Sequence, residues 1–381
     1  MGGDMGFVSR LQENIRTVFT GKLEMGKTNL DALWNLTLLR IDRKTEHPMS
    51  KEIPPLTKEE KRAVKEFYKP YVRFLTDRYH RYYTFKSGGK FYPEYLPEEL
   101  YVMHVDRYFS RREESVFLDN KCYYYRLFSH VKQPELIGLR IGQTWLNQDL
   151  EPVSCEEIEA LAAKEPEVVV KDAVQSEGGA GVTFLTEGTN RGAFRRRVSN
   201  APGDLVVQKP IRQHPSYARL HRESVNTLRI VSLLTESEVK IYAVTLRVGA
   251  GGNRVDNGHY GGIFCGIEPD GRLKERAVFY SGEPVFCHPD LGYRFCDRQV
   301  PYVDKACALV KSAHPFAGHF RLISWDVAID EEGEAVLIEA NFSLGGIKGI
   351  QICDGPLFGS DTRKVLDEVF RGKKRKWTTW R

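Results

Sequence analysis

The sequence predicts an α+β protein on three observations: a capping-box start with helical spacing in the first third, β-branched segments from Val168 onward, and an acidic hairpin near residue 330. Thr57-Lys-Glu-Glu60 has the form of a capping box, and Val64, Phe67, Tyr71 and Phe74 fall at helical spacing, with Pro70 interrupting that helix. The aromatic and basic stretch Tyr68 to Lys86 spaces its rings as a helix does and so reads as a buried face, not a stacking surface for nucleic acid. Asp119 is placed to cap a helix carrying Lys121, Tyr125 and Phe128, and Ser154-Cys-Glu-Glu157 starts a short helix through Ala163. Strands then take over. Val168 to Lys171 and Val182 to Leu185 flank a turn at Gly178 to Gly181; after a basic loop come Asp204 to Gln208, Leu228 to Leu234 and Val239 to Val248. Ile323 to Ile329 and Ala335 to Ala340 form the last pair.

Composition removes several function classes. A length of 381 residues suits two or three structural units, and 41% hydrophobic with 28% charged residues excludes wholesale disorder and a membrane-embedded chain. No window approaches the ~20 apolar residues of a membrane span. The segment Met1 to Phe7 lacks the apolar core of a secretory signal, and the seven cysteines include no Cys-x-x-Cys pair, so a cytoplasmic location without a zinc site is expected. With 56 basic against 51 acidic residues, the net charge of +5 is not that of a specific nucleic-acid-binding protein. Arg371 to Lys376 carries five of the positive charges and reads as a solvated extension, with contact to a polyanion as the alternative.

The chemistry concentrates in three places. If Glu332-Gly333 is a two-residue turn, Asp326 stands opposite Glu339 and Ser324 opposite Asn341, while Trp325, Val327, Ile329, Val336, Ile338 and Ala340 fill the other face. Two carboxylates across neighbouring strands repel unless a cation neutralises them, and Asp326, Glu339 and Asn341 offer the hard oxygens that suit Mg²⁺. A solvent-facing polar strand is the alternative. Lys171, at the end of an apolar strand and before a turn rich in glycine, including Gly178, Gly179 and Gly181, can place a cation and backbone N–H groups around phosphate oxygens; a plain flexible turn has the same composition. Arg229 and Arg247 lie within apolar strands and need a counter-charge, either a phosphate or an internal carboxylate. A hairpin turning at Glu236-Ser237 puts these two arginines on opposite faces unless a bulge intervenes. The polar loop Arg254 to Gly262 and the segment Asn341 to Gly346 carry paired glycines that would admit a ligand, or form ordinary turns. His259 reads either as a general base or as a surface histidine. Cys287 with His288 lacks a third partner for nucleophilic catalysis.

In order, these pieces resemble an ATP-grasp enzyme. Asp326, Glu339 and Asn341 resemble the metal triad of the D-alanine–D-alanine ligases, and Asp119-Asn-Lys121 with Val-Val-Lys171 is similar to the two ATP-binding lysines of that superfamily. Thr227-Leu-Arg229, Leu246-Arg247 and the loop ending in Gly261-Gly262 resemble the segment used near the γ-phosphate and acceptor by glutamate-adding ligases. More narrowly, Ser224 to Ile230, Val255-Asp-Asn257 with Gly261-Gly-Ile263, and Ser324-Trp-Asp326 resemble the sugar-transfer-associated ATP-grasp family, linked with bacterial surface-polysaccharide pathways. Asn226-Thr227 stands where many relatives hold an acidic ribose contact.

The resemblance covers roughly residues 116–360 and implies two α+β subdomains clasping ATP, with backbone groups around Gln208 and Lys209 reading the adenine. It implies Lys121, Lys171, the glycine turn and Thr227 as nucleotide-binding, Asp326, Glu339 and Asn341 as Mg²⁺ ligands, and Arg229, Arg247 and Asn257 as catalytic. The expected units are a helical or irregular region 1–115 that gives acceptor specificity, a first subdomain 116–209, a second 210–371 and the basic tail 372–381. The implied activity is an ATP- and Mg²⁺-dependent carboxylate–amine ligase acting through an acylphosphate, its partners a small carboxylate and an amine, sugar-linked or amino-acid-like. A kinase acting on a hydroxyl and a non-catalytic ATP-binding protein are the alternatives.

Overall fold

A computed structural model describes residues 53–72, 75–110, 112–174, 181–186, 190–252, 254 and 261–371. Two antiparallel sheets organise them. The first has six strands in the order β3-β2-β1-β6-β4-β5: β1 Leu136–Ile141, β2 Thr144–Asn147, β3 Pro152–Val153, β4 Glu167–Asp172, β5 Val182–Thr186 and β6 Leu205–Gln208. The second has seven, ordered β11-β10-β9-β8-β7-β12-β13: β7 Thr227–Leu234, β8 Val239–Val248, β9 Ile263–Ile267, β10 Leu273–Phe279, β11 Pro284–Val285, β12 Leu322–Ile329 and β13 Ala335–Asn341. The α+β class is as expected.

Thr57 caps the helix Lys58–Tyr68 and Glu60 returns the bond to the Thr57 N–H, a device worth about 1 kcal/mol. This helix ends before Pro70, and Val64, Phe67 and Tyr68 bury its apolar stripe. They join Leu96, Leu100, Val105 and Phe109 and the helix Thr362–Phe370 against Val231, Leu233 and Leu322 of the second sheet. The other face of that sheet packs Trp325, Val327 and Leu246 against Ala306, Val310 and Ala313 of the helix Val303–Ala313. Ser154 starts Cys155–Ala162 through the second capping box, and this helix covers the first sheet together with Asn190–Asn200.

Two expectations change here. The basic segment before Asp204 is no loop: Phe194 and Val198, one turn apart, enter the core and make Asn190–Asn200 a helix, with Arg195 and Arg196 exposed and Arg197 turned to Asp172. Asp119 does not cap the Lys121 turn. Its carboxylate accepts from Ser115 Oγ at 2.9 Å, and Asn120 Oδ1 accepts from the Cys122 N–H instead, capping a 3₁₀ turn Lys121–Tyr123.

Among the described residues, no helix is long and apolar enough to cross a membrane.

Candidate active site

Two bulges bring the charged residues onto one sheet face. In the β7–β8 hairpin, Val231 pairs with Ala243 but Ser232 pairs with Ile241, so Tyr242 is an extra residue. That shift sets Arg229 opposite Thr245 and Arg247 opposite Thr227, placing both arginines on the same face; without it they would point apart. In the β12–β13 hairpin the turn is one residue longer than the two expected. Asp330 pairs with Glu334, and Glu331 to Gly333 form the loop, with Gly333 at φ +77°. The core face therefore carries Ala335 and Leu337 rather than Val336 and Ile338. Ile338 then bulges, and beyond it Asp326 faces Glu339 and Ser324 faces Asn341 as the sequence suggests.

At the centre, Asp326 is 4% exposed. Arg229, directly across from it on β7, donates Nε to Oδ1 at 2.6 Å and Nη2 to Oδ2 at 3.1 Å. Arg247 adds Nη1 to Oδ2 at 3.0 Å. Burial pushes the Asp326 carboxyl up, but the Arg229 and then the Arg247 guanidinium overcome it and hold it below the usual carboxylate range. Beside it, Glu339 accepts from Lys121 Nζ at 2.9 Å. Lys171 joins this group: burial, then the Lys121 charge, pull its ammonium down to about 8, with Glu339 opposing.

The carboxylate pair that called for a cation thus finds four on the chain itself. Lys121, Lys171, Arg229 and Arg247 against Asp326 and Glu339 leave an excess of two positive charges, which favours a polyanion. Asn341 spends its Nδ2 on the Ser324 carbonyl at 3.0 Å, so its amide oxygen is the atom available to a cation. The half-buried Glu339 carboxylate and this amide oxygen stand on alternate residues of one strand beside Asp326, hard oxygens of the kind that Mg²⁺ takes, with both Asp326 oxygens on the arginines and Glu339 Oε1 on Lys121.

Tyr124, which sequence reasoning passed over between Lys121 and Tyr125, fixes the strand that carries Glu339. Its buried hydroxyl donates to the Ala340 carbonyl at 2.9 Å and takes the Ala340 N–H at 3.4 Å. Thr227 is buried at the start of β7, while Gln208 ends β6 between Leu136 and Val169. Lys209 turns to Glu135 and Glu165, at 2.5 and 3.0 Å, neither of them a member of the charged group. Asn226, which the resemblance sets where many relatives hold an acidic ribose contact, is committed to the protein: it donates to the Tyr217 and His221 carbonyls at 2.9 and 2.8 Å. Gly181, at φ +78°, closes the β4–β5 hairpin, where an added Cβ would lie 2.1 Å from Asp172 Oδ2. Arg197 clamps the same spot, bonding Asp172 at 2.6 Å and the Gly181 carbonyl at 2.7 Å. Gly178, Gly179, Asn257, His259 and the basic tail lie outside the described residues.

The two sheets also meet through Arg254. Its guanidinium makes a two-pronged pair with Glu167 of β4 at 2.8 and 3.0 Å and sits 3.7 Å from the centre of the Phe184 ring of β5.

Among solved structures, the chain is similar to the biotin carboxylase domain of 2-oxoglutarate carboxylase from Hydrogenobacter thermophilus, at 14% identity and TM-score 0.40, over 68% of this chain and 47% of that one. It is likewise similar to an L-amino acid ligase from Bacillus licheniformis, at 15% identity and TM-score 0.39, over 68% and 48%. D-alanyl-alanine synthetase A from Vibrio cholerae matches at 13% identity and TM-score 0.36, over 67% and 63%. The chain spans about half the length of the first two. No curated protein matches it. The family model described as sugar-transfer associated ATP-grasp matches residues 103–365, a span that holds Lys121, Lys171, both arginines and the β12–β13 hairpin. The chain belongs to the sugar-transfer associated ATP-grasp family.

Proposed function

We propose that this protein is an ATP- and Mg²⁺-dependent carboxylate–amine ligase. The observation that carries the reading is the convergence of Lys121, Lys171, Arg229 and Arg247 on Asp326 and Glu339, on one face of a sheet. ATP supplies the phosphoryl group that activates a carboxylate as an acylphosphate, and Mg²⁺ neutralises phosphate charge when bound. Every other part falls to the chain. Lys121 and Lys171 bind phosphate oxygens as point charges, and the two arginines hold the transferring group by directed N–H bonds. Before nucleotide binds, Asp326 and Glu339 hold Lys121, Arg229 and Arg247 in place by ion pairs and offset part of the positive charge. On binding, the cations turn toward phosphate, and the freed oxygens of Asp326 and Glu339, with that of Asn341, serve as metal ligands.

In this reading the β1–β6 sheet, the β4–β5 hairpin with its glycine turn, and the Gln208 strand end form one jaw on the nucleotide, and the β7–β13 sheet forms the other. Residues 1–115 contribute acceptor specificity. The family's sugar-transfer association favours a sugar-linked or amino-acid-like substrate for a surface polymer. The test is product analysis with purified protein across a panel of uronic acids and amino acids. ADP release that requires both a carboxylate and an amine supports the ligase. A stable phosphorylated acceptor would sink it in favour of a kinase, and nucleotide binding without turnover on any pair would favour a sensor.

A further inference from the structure

The polar face continues past Arg229. Thr245, opposite Arg229 on β8, in turn faces Gly266 on β9, and its Oγ1 donates to Asp354 Oδ2 at 2.8 Å. Lys274 of β10 reaches across β9 to the other oxygen, Oδ1, also at 2.8 Å. Gly266 permits this approach, since a Cβ there would lie 2.5 Å from Asp354 Oδ1 and 2.7 Å from the Lys274 Cδ. Asp354 ends the helix Lys348–Asp354, which follows the Asn341 strand and its glycine segment. Neighbouring strands lie about 4.8 Å apart, so this carboxylate stands within roughly 10 Å of Arg229, on the same face.

The pair is open to a ligand. The Lys274 and Asp354 side chains remain 26% and 22% exposed. Lys274, though not Asp354, also lines a cavity of about 440 Å³ with Glu268, Arg272 and Cys296. Burial lifts the Asp354 carboxyl above the usual carboxylate range in spite of Lys274 and the Thr245 hydroxyl, the nearby Glu268 charge adding to the rise.

We propose that Asp354 and Lys274 form the subsite for the amine substrate, taken up as an amino-acid-like zwitterion with its ammonium on Asp354 and its carboxylate on Lys274. A zwitterion carries both charges in one small group and can replace the ion pair without stranding either side chain, whereas a simple amine would leave Lys274 without its partner. The inference rests on the ligase reading and extends it. Asp354 accepts one proton from the ammonium, and the neutral nitrogen attacks the acyl carbon. The new C–N bond forms as the C–O bond to phosphate breaks; phosphate leaves with that electron pair and takes the second nitrogen proton. Thr245 acts as a positioning residue that fixes the Asp354 carboxylate.

The test uses the full chain and two binding measurements: ADP–Mg²⁺ titration, and saturation-transfer NMR with each common amino acid beside its methyl ester and its decarboxylated amine. The expected result is that at least one amino acid binds, and that its ester and its amine bind about tenfold more weakly or worse. Asp354→Asn and Lys274→Met should abolish that signal and leave ADP–Mg²⁺ affinity within about twofold. Gly266→Ala, which keeps both charges but displaces them, should weaken it too and decides the matter if either charge variant fails to fold. Amino-acid binding that survives these substitutions, or a wild-type protein that binds ADP–Mg²⁺ but no amino acid, overturns the subsite and leaves the ligase reading standing. Failure of the wild-type protein to bind ADP–Mg²⁺ at all overturns the ligase reading itself.

Discussion

Lys171→Met should make the nucleotide-free protein more stable and the nucleotide-bound state weaker. The ammonium is held at about 8 against an ordinary 10.5, a gap that corresponds to about 3 kcal/mol of cost for keeping it charged. The side chain as a whole is half-buried, so solvent offsets part of that, and removing the charge should stabilise the fold by about 1–2 kcal/mol, or about 2–6 °C in Tm. Binding moves the other way. A lost charge-assisted contact to phosphate costs about 1.5–3 kcal/mol, or about 10- to 100-fold in ATP affinity at neutral pH. The pH dependence carries a sign of its own. Between pH 8 and 10.5 the unfolded chain keeps a proton on Lys171 that the folded one has released, so this residue makes stability rise with pH there. Over the same window ATP affinity should fall about tenfold per pH unit, because binding needs the proton back. Differential scanning fluorimetry without ligand and titration calorimetry from pH 7 to 10 read both effects. A variant that melts lower and binds ATP as before would refute the argument, since Lys171 would then be a structural cation and not a held-back ligand.

Asp326→Asn should abolish Mg²⁺-dependent turnover and also cost about 3–5 kcal/mol in urea unfolding, because it strips the buried Arg247 and the half-buried Arg229 of their counter-charge. In the parent, the depressed Asp326 carboxyl adds stability above the ordinary carboxylate range, lost as pH falls through the folded value; the variant should lack that acid-side loss in a pH series of Tm. Glu339→Gln should stop Mg²⁺-dependent turnover with a far smaller change in Tm, since Glu339 is half-buried and pairs with Lys121 alone of the charged group; full activity would refute its place among the metal ligands. Gly181→Ala should destabilise the β4–β5 hairpin by about 1 kcal/mol or more through its positive φ and the contact with Asp172, measured by urea denaturation. Arg254→Ala should raise proteolytic cutting near the β4–β5 hairpin, with a smaller difference in high salt, where the Glu167 pair is already screened.

The parts of the site legible in the sequence were those fixed by pairing across a single hairpin. Asp326 and Glu339 could be set opposite each other because the longer turn and the Ile338 bulge cancel, each displacing β13 by one residue in opposite senses. The β7–β8 hairpin offered no such cancellation. Its single bulge at Tyr242 falls in Val239–Val248, where residues on both faces are buried and alternation gives no phase to follow. Charge was readable as a need but not as a partner: nothing in the spacing of Arg229, Arg247 and Lys121 says that the two carboxylates answer them, because that pairing joins segments about 80 to 220 residues apart. Leu273–Phe279 escaped detection because Lys274, Glu275 and Arg276 interrupt its apolar residues, and the Asn190–Asn200 helix because Ala193, Phe194 and Val198 among four arginines make a weak stripe.

The two bulges divide each hairpin into a half whose phase belongs to the charged group and a half whose phase belongs to the turn. Insertions or deletions at Glu236-Ser237 or at Glu331–Gly333 alter only the second half, provided Tyr242 and Ile338 remain extra. The turn ends are therefore the places where this sheet can be resized, tagged or opened for circular permutation without moving Arg247 or Glu339. Removing Tyr242 itself would only straighten the bulge and leave Arg247 opposite Thr227, whereas losing one residue between Ala243 and Arg247 would carry that guanidinium through the sheet to the apolar side, beside Trp325 and Ala306.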